Sequence, residues 1–432
     1  MPSTEACFWI GCESCNLRQL HEPSQAKLPL SSSYRKHAVT LGLLSAVGPF
    51  AIDMYLPALP TIAADLHAST GATQMTLTMF FLAFGICQII YGPVSDMVGR
   101  KPPLYVGLVL FLFGSIGCGL AGSVNSLIAF RFVQGVGASA VMVIPRAIIR
   151  DLHTGVEATR LMALVMLVFS VSPILAPLTG SALIVPFGWR AVFAAVTIAA
   201  VLGLVLVATQ LPETRRPEDR VNGDLAAVLG GFKHLVQDRS FLGLTFIGGL
   251  GMASFFAFLA SSSFIYIDHF GLTPTQYSFG FSVNAIGFIG ASQFAARLGS
   301  IYGAARVIRS AVSLYALGAI VLLALTLAGV DSLAVLVSLL FFTFAFLGLV
   351  IPTTMVLALE EHGPIAGLAA SLGGTLQMVT GGAVIALVSL FFDGTALPMV
   401  ATIALCALGA LALSAVTLRR DPAVSHLAEE IR

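Results

Sequence analysis

Charged side chains are scarce along this chain of 432 residues. Only 10% of the residues are charged, whereas 57% are hydrophobic, and the mean hydropathy is +0.94. Because soluble domains contain about 25% charged residues, this composition excludes a soluble protein and indicates a membrane protein with several spans. The formal net charge is only +1 and no basic run is dense, so we expect no nucleic-acid partner.

Lysine and histidine are missing where chemistry in the membrane would need them. None of the four lysines (Lys27, Lys36, Lys101 and Lys233) follows a glycine, so the chain lacks the Gly-Lys-Ser/Thr element with which ATPases hold phosphate. All eight histidines fall in tails or in connections between apolar stretches. A membrane-embedded enzyme would need a cluster of histidine, cysteine or acidic side chains at the midplane. We therefore predict no enzymatic activity, no cofactor and no metal.

Cysteine is also sparse, with six in the chain. Cys12 and Cys15 have a spacing that metal and redox sites use, but no second pair stands at zinc-finger distance. The interpretation is an inert, reduced tail. Residues 1–37 contain no apolar run of signal-peptide length, so we expect no cleaved leader.

What the chain has in abundance is long apolar sequence. A helix needs about 20 mainly apolar residues to cross a bilayer, whereas barrel strands are about ten residues of alternating character. The continuous runs therefore predict an all-α membrane protein with twelve transmembrane helices. The predicted spans are 38–62, 71–94, 104–121, 127–149, 159–185, 190–211, 241–267, 276–298, 307–329, 333–358, 367–392 and 396–418.

A polar interval divides the predicted spans into six and six. We predict a tail at 1–37, a first six-helix bundle at 38–211, a linker at 212–240, a second bundle at 241–418 and a tail at 419–432. Duplicated bundles of this kind are typical of secondary transporters, whose substrate site lies between the repeats near the midplane. Lysine and arginine concentrate in the tails and the even-numbered connections, which places both termini in the cytoplasm.

Asp53 is the single carboxylate within the twelve predicted stretches, and Arg131 is the only strong base placed well inside one. An ionised group at this depth costs at least ~2.5 kcal/mol on insertion scales, and such groups usually serve ion, proton or substrate traffic. A direct or water-bridged interaction between Asp53 and Arg131 would accommodate both. Two alternatives stay open: a static ion pair that only fixes packing, and an Arg131 side chain that extends to the outer surface.

Of these two groups, only Asp53 is suited to carry a proton, because arginine does not release its own. Burial disfavours the charged form of a carboxylate and a nearby guanidinium favours it, so opening to one side or the other would switch Asp53 between two states. One charge crossing 100 mV supplies about 2.3 kcal/mol, which supports roughly a fifty-fold substrate gradient. The sequence therefore predicts proton coupling through Asp53.

Several motifs carry a resemblance to a known family. Residues 92–100 resemble the loop signature of the major facilitator superfamily through Gly92, Asp96, Gly99 and Arg100, and residues 131–140 resemble its fourth-helix pattern. Residues 172–180 look like its antiporter motif, with Pro173, Pro177 and Gly180 in place but Ala176 and Ser181 where glycines are usual. The segment 53–60 is most similar to the bicyclomycin and chloramphenicol resistance branch of drug:proton antiporters, and the likeness spans residues 38–418.

The 92–100 motif has its own physical interpretation. We expect Asp96 near the start of the third helix, where a negative charge suits the helix dipole, and Arg100 as a cytoplasmic anchor. The resemblance implies that this turn docks against the other half and helps to hold one conformation. The alternative is a loop that fixes topology alone.

The resemblance implies a proton-coupled multidrug efflux transporter that works by alternating access in the bacterial inner membrane. Its implied partners are protons, the lipid bilayer and a small drug-like molecule, and we expect it to act as a monomer. A metabolite exporter or an uptake symporter on the same fold is the alternative, and the 172–180 motif argues against uptake.

Candidate substrate residues are the polar, methionine and aromatic side chains that the spans place near the midplane. Few charges beside such walls suit large apolar ligands, and a single acid favours a neutral, weakly cationic or zwitterionic drug. The candidates are Tyr55, Gln88, Gln134, Met142, Phe255, Phe256, Phe258, Ser262 between Ser261 and Ser263, Asn284, Gln377 and Met378.

Overall fold

The computed structural model describes residues 32–215, 218 and 225–418. The predictions for the N-terminal tail with Cys12 and Cys15, for the middle of the linker and for the tail at 419–432 lie outside the described residues. Every regular element in the described ranges is helical.

Fifteen α-helices make up the described part of the chain. Short turns of other helix types at Leu56–Ala58, Phe264–His269 and Gly363–Ile365 join some of them. The helices are α1 (Ser32–Asp53), α2 (Leu59–Asp65), α3 (Thr70–Val98), α4 (Lys101–Gly119), α5 (Val124–Leu152), α6 (Gly155–Phe187), α7 (Arg190–Gln210), α8 (Leu225–Gln237), α9 (Arg239–Ser263), α10 (Pro274–Ser292), α11 (Ala295–Tyr302), α12 (Ala304–Leu327), α13 (Leu333–Glu360), α14 (Ala366–Phe391) and α15 (Leu397–Thr417).

Twelve segments of the described residues are long and apolar enough to cross a membrane, which confirms the predicted fold class. The first span, Lys36–Asp65, consists of α1, a turn and α2, and the eighth, Pro274–Tyr302, consists of α10 and α11. Large apolar side chains on the outside of the bundle, such as Leu390 and Phe187 at 77% and 73% exposure, have the environment they need in lipid.

Capping residues and glycine turns set where several of the helices begin and end. Capping boxes at Ser123 and Thr273 start α5 and α10 by satisfying free amide groups of the first turn. Gly99 ends α3 with a φ of 103°, and Gly303 separates α11 from α12 with a φ of 83°. Only glycine adopts such angles without strain, so matching tight turns follow the second span of each half.

The spans form two six-helix halves. In the first half α1 packs on α5, α6 and α7, and in the second half α9 packs on α13, α14 and α15. The halves meet along two seams, α3 against α14 and α6 against α10. We call the end of the bundle with the linker, the start of α1 and the end of α15 the linker end, and the opposite end the far end.

Candidate functional site

Asp53 lies where three helices of both halves come together. It is the last residue of α1, and its side chain is buried, with 6% exposure. Ser172 of α6 donates a hydrogen bond of 3.2 Å to its Oδ2, and two residues further along α6 the Ile174 carbonyl accepts a hydrogen bond from Ser282 of α10. The carboxylate therefore sits beside the seam that α6 forms with α10.

Arg131 is fully buried, with 0% exposure, in the far third of α5. Its Nη1 donates to the Ala51 carbonyl at 3.2 Å and to Gln134 Oε1 at 2.6 Å. Gln134 in turn donates to the Ser115 hydroxyl at 2.8 Å. The guanidinium is thus tied to α1 and, through Gln134, to α4.

The bond to Ala51 follows from how α1 ends. The Tyr55 amide, which a continuing helix would direct to Ala51, bonds to the Ile52 carbonyl instead. The Ala51 carbonyl is therefore one of the free acceptors that every helix C-terminus leaves, and a positive charge there also interacts favourably with the helix dipole. Arg131 caps α1 two residues before Asp53.

Two aromatic rings enclose the rest of the guanidinium. Its Cζ lies 4.5 Å from the ring centroids of both Tyr55 and Phe80. The Tyr55 hydroxyl is hydrogen-bonded to Thr76 at 2.8 Å, which fixes that ring. A cation over an aromatic face in a desolvated site is stabilised by about 2 kcal/mol, so these rings compensate for part of the burial of Arg131.

The predicted direct pairing of Asp53 with Arg131 is wrong for this structure. Among the described residues, no ion pair within 4.0 Å joins them. Arg131 is accommodated by a carbonyl, an amide and two rings, and Asp53 by a hydroxyl. The alternative of an Arg131 side chain reaching the outer surface is also wrong, because the side chain is fully buried. A water-bridged contact stays a prediction.

Arg100 of the 92–100 motif is the centre of a charge network at the linker end. Its guanidinium lies 2.8 Å from Asp96 and 2.7 Å from Asp151, and it donates to Ser95 at 2.7 Å. Arg215 of the linker adds weaker ion pairs with the same two aspartates, at 3.7 and 3.9 Å. The motif thus connects α3, α5 and the start of the linker.

The expected place of Asp96 is wrong. Asp96 lies in the last turn of α3, because that helix continues to Val98 and ends only at Gly99. The negative charge at the start of α4 comes from Glu213, which accepts from the backbone amides of Arg100 and Lys101 at 2.8 and 3.0 Å. Burial acts to raise the pKa of the Glu213 carboxyl, but these and other backbone amide bonds outweigh it and hold that pKa below its usual range.

The implied docking of this turn against the second half stays a prediction. Every hydrogen bond and ion pair of Arg100 goes to the first half or to the linker. A cavity of about 590 Å³ separates Asp96 and Arg100 from Leu368 and Ser371 of α14. The ion pairs around Arg100 are therefore formed although a cavity separates the two halves at the linker end.

The cavity lies between the halves in the linker half of the molecule. Residues of α3, α5 and α14 form most of its wall, and Gln88 and Ser371 lie deepest along α3 and α14. Ser371 donates to the Gln88 carbonyl at 3.4 Å, and the next contact, Thr375 with the Gly85 carbonyl at 2.7 Å, joins the halves near the midplane.

Beyond that level the halves are closed against each other. Gln74 donates to the Ala260 carbonyl at 3.1 Å, Ser278 to the Pro177 carbonyl at 2.8 Å, and Ser282 to the Ile174 carbonyl at 2.9 Å. The structure is therefore open at the linker end and sealed towards the far end.

The proline segment, with Pro173, Pro177 and Gly180, lies inside α6, which runs unbroken from Gly155 to Phe187. A Cβ atom on Gly180 would lie 2.3 Å from the Met54 carbonyl oxygen, so this glycine lets α6 approach the end of α1. The same segment accepts the hydroxyl bonds from α10 that seal the far end.

Most predicted substrate residues do not line the cavity in this structure. Tyr55 and Gln134 surround Arg131, Gln88 borders the cavity, and Met142 lies 3.7 Å from Arg146 through its sulfur. Ser262 is hydrogen-bonded to Tyr277 at 3.2 Å, and Asn284 to Tyr266 at 3.3 Å. Gln377 and Met378 lie against Gly248 and Gly85.

The three phenylalanines of α9 pack into the protein interior. Phe258 stacks on Phe281 at 5.4 Å and Phe255 on Phe288 at 5.2 Å, both within the second half. Phe256 stacks on Phe81 at 4.0 Å, across the boundary between the halves. None of the three rings is among the described residues that line the open cavity, so their contact with substrate stays a prediction.

Three residues with evident roles were not predicted. Ser172, the donor to Asp53, directly precedes Pro173, so its place in the motif was a usable signal. Phe80 covers Arg131 but looks like any apolar residue of a span. Arg146 stood out only as a base near a span end, and only the structure shows that its Nε is buried without a hydrogen-bond partner.

Comparisons with known proteins agree with the twelve-span fold seen in the structure. Residues 41–386 match the family described as Major Facilitator Superfamily. The chain is 37% identical to the uncharacterized MFS-type transporter YdgK of Bacillus subtilis, covering 89% of this chain and 96% of that protein. It is 31% identical to a bicyclomycin resistance protein homolog of Haemophilus influenzae, covering 85% and 92%.

A solved structure supports the fold. The xylose transporter XylE from E. coli, in a partially occluded inward-open conformation, superimposes with a TM-score of 0.67 over 91% of this chain and 98% of that one. At 15% identity, this likeness concerns the fold alone.

Proposed function

Since the chain belongs to the major facilitator superfamily and is a multi-pass transporter of the inner membrane rather than an enzyme, we propose that it exports small hydrophobic or amphipathic drugs in exchange for protons. Relatives named bicyclomycin resistance protein homolog, chloramphenicol resistance protein and multidrug resistance protein D support drug efflux as the activity. Compounds of the bicyclomycin and chloramphenicol type are the proposed substrates.

The observation that carries the proposed coupling is the position of Asp53. Its carboxylate is buried, holds Ser172 of α6, and stands beside the seam between α6 and α10. A protonated Asp53 no longer attracts the Ser172 hydroxyl as a charged acceptor does, because charge-assisted hydrogen bonds are roughly twice as strong as neutral ones. Protonation of Asp53 would thereby change how α1 holds the helix that seals the far end.

The proposed orientation puts the linker end in the cytoplasm. The ion network of Arg100, Arg215 and their partners lies at this end, as expected of the side that retains positive charge. The structure then corresponds to the state that accepts drug from the cell interior. In the proposed cycle, drug binding from inside accompanies proton loss from Asp53, and protonation from outside accompanies drug release.

Substitution of Asp53 by asparagine tests this proposal. In energised everted membrane vesicles with a pH-sensitive dye, chloramphenicol should release protons from the lumen through the wild-type protein but not through Asp53→Asn. The matched control is Asp65→Asn, which removes a carboxylate of the same span whose partner is the exposed Arg190, and which should retain the signal.

Equal amounts of monodisperse protein must be present in all three vesicle preparations. Unchanged drug-linked proton release in Asp53→Asn would refute the assignment of Asp53. A signal of opposite sign in the wild type would instead support the uptake symporter, the alternative left open above.

A further inference from the structure

Arg146 is another arginine within a membrane-spanning segment, in the linker half of α5. Its Nε has no accessible surface and no hydrogen-bond partner. Its remaining neighbours are the Met142 sulfur, 3.7 Å from Nη2, and the Phe169 ring, 5.2 Å from Cζ. Among the residues described, no carboxylate lies within 4.0 Å of it.

Arg146, which is partly exposed as a whole, differs from the buried Arg100 and Arg131 in that no oxygen atom of the described residues accepts a hydrogen bond from it. Arg100 has Asp96 and Asp151 as partners, and Arg131 has a carbonyl, an amide oxygen and two rings. Of these three arginines, Arg146 borders the 590 Å³ cavity without an oxygen acceptor in the described ranges. The cavity is thus where its missing partner would bind.

The wall of the cavity has both polar and apolar parts. Gln88, Ser371 and Arg150 supply polar groups, and Val143, Met162 and Leu368 supply an apolar surface. Among the described residues, Asp96 is the only carboxylate in this wall, and it already pairs with Arg100 at 2.8 Å. Arg146 and Arg150 therefore leave the cavity with an uncompensated positive charge.

We infer that this cavity binds amphipathic molecules that carry one negatively charged oxygen group, and that Arg146 holds that group. The planar guanidinium matches the geometry of carboxylate and sulfonate oxygens, and its charged hydrogen bonds are strongest where water is excluded. A volume of about 590 Å³ suits a ligand of drug size. The inference rests on the proposed export function and adds anions and zwitterions that present such a group to the neutral drugs proposed above.

Two fluorescent probes with the same ring skeleton test the inference. 1-Anilinonaphthalene-8-sulfonate carries a sulfonate, and N-phenyl-1-naphthylamine lacks it. Binding to the full chain in lipid nanodiscs is measured with each probe, and the signal of empty nanodiscs is subtracted. Arg146→Gln should weaken sulfonate-probe binding by about tenfold or more, as expected for the loss of hydrogen bonds from a charged donor, and leave the neutral probe within about twofold.

Arg160→Gln is the matched control, because Arg160 is exposed at the linker end and its substitution changes the net charge by the same amount. It should leave both probes unaffected. Unchanged sulfonate-probe affinity in Arg146→Gln would overturn the inference, and so would an equal loss for both probes, which would indicate a structural role.

If Arg146→Gln does not fold, the wild-type protein still decides the question. Phenylglyoxal modification of Arg146, followed by mass spectrometry, should be blocked by the sulfonate probe and not by the neutral one. Absence of that protection would refute the proposed site. Neither measurement uses a proton gradient, so a failure of proton-coupled export in the vesicle experiment is distinguishable from a failure of this inference.

Discussion

Arg131 shows how one side chain organises the membrane interior of the first half. It satisfies a free carbonyl at the end of α1, and it separates the rings of Tyr55 and Phe80. Because the chain turns directly after Asp53, the position of that carboxylate depends on how α1 ends. Arg131 therefore positions Asp53 through the backbone rather than through an ion pair.

Phe80→Leu is expected to lower the apparent melting temperature of the detergent-solubilised protein. The substitution removes one aromatic face from a desolvated guanidinium, a loss of about 1–2 kcal/mol. The same substitution in an Arg131→Met background should have a smaller effect, because no cation remains to lose. An equal decrease in both backgrounds, measured by thermal unfolding, would mean that Phe80 contributes only ordinary packing.

For single residues, the sequence identified the ionisable side chains but not the side chains that contact them. Asp53 and Arg131 stand out because charges in apolar stretches are rare. Their partners Ser172 and Phe80 lie 119 and about 50 positions away along the chain, on other helices, and resemble many other residues of the spans. Which ring or hydroxyl faces a charge depends on how the helices rotate against each other, and that is set by packing.

At the scale of the helix, α6 connects the candidate proton site to the seal. It carries Ser172, contacts the end of α1 at Gly180 and accepts two hydroxyl bonds from α10. In the proposed mechanism, this helix transmits a change at Asp53 to the boundary between the halves.

Gly180→Ala is expected to destabilise the protein by about 1–3 kcal/mol, the usual effect of overpacking a tight contact. The added methyl group would meet the Met54 carbonyl at 2.3 Å, so α6 would have to move away from α1. Gly48→Ala is the control, since Gly48 lies in α1 with open space around it and alanine favours helix by up to about 1 kcal/mol. Thermal unfolding should separate the two variants, and equal melting temperatures would contradict the close contact.

The existence of the helices was predictable, and some of their ends were not. Long apolar runs identify spans reliably because a bilayer admits few other structures. Asp96 was misplaced because α3 continues past Pro93 to Val98, and the turn requires the conformation that Gly99 supplies. Glu213, the residue that caps α4, comes from the linker after the sixth span, a distance that local patterns do not reach.

At the scale of the whole molecule, the two ends differ in state. A cavity stands open at the linker end, while hydrogen bonds from α3 and α10 close the far half. A sequence specifies both states of an alternating-access protein, so which one predominates was not predictable. Only the structure shows which end is open and which end is closed.

Cysteine labelling checks this asymmetry together with the proposed orientation. In a background without native cysteines, Ser371→Cys should react with a membrane-impermeant thiol reagent in everted vesicles, where the linker end faces the medium. Ser282→Cys, buried in the α6–α10 seam, should react poorly from either side. Strong labelling of Ser282→Cys in intact cells, with none of Ser371→Cys in everted vesicles, would mean that the opposite state predominates.

The bonds that close the far half have a further consequence. In the part of the chain that has been described, no ion pair links one half to the other, and the seal consists of hydroxyl and amide donors on uncharged acceptors. Such bonds exchange readily with water and are indifferent to ionic strength, whereas the Arg100 network carries full charges. A change in salt concentration should therefore leave the closed far half unaltered, and any sensitivity to salt would arise at the linker end.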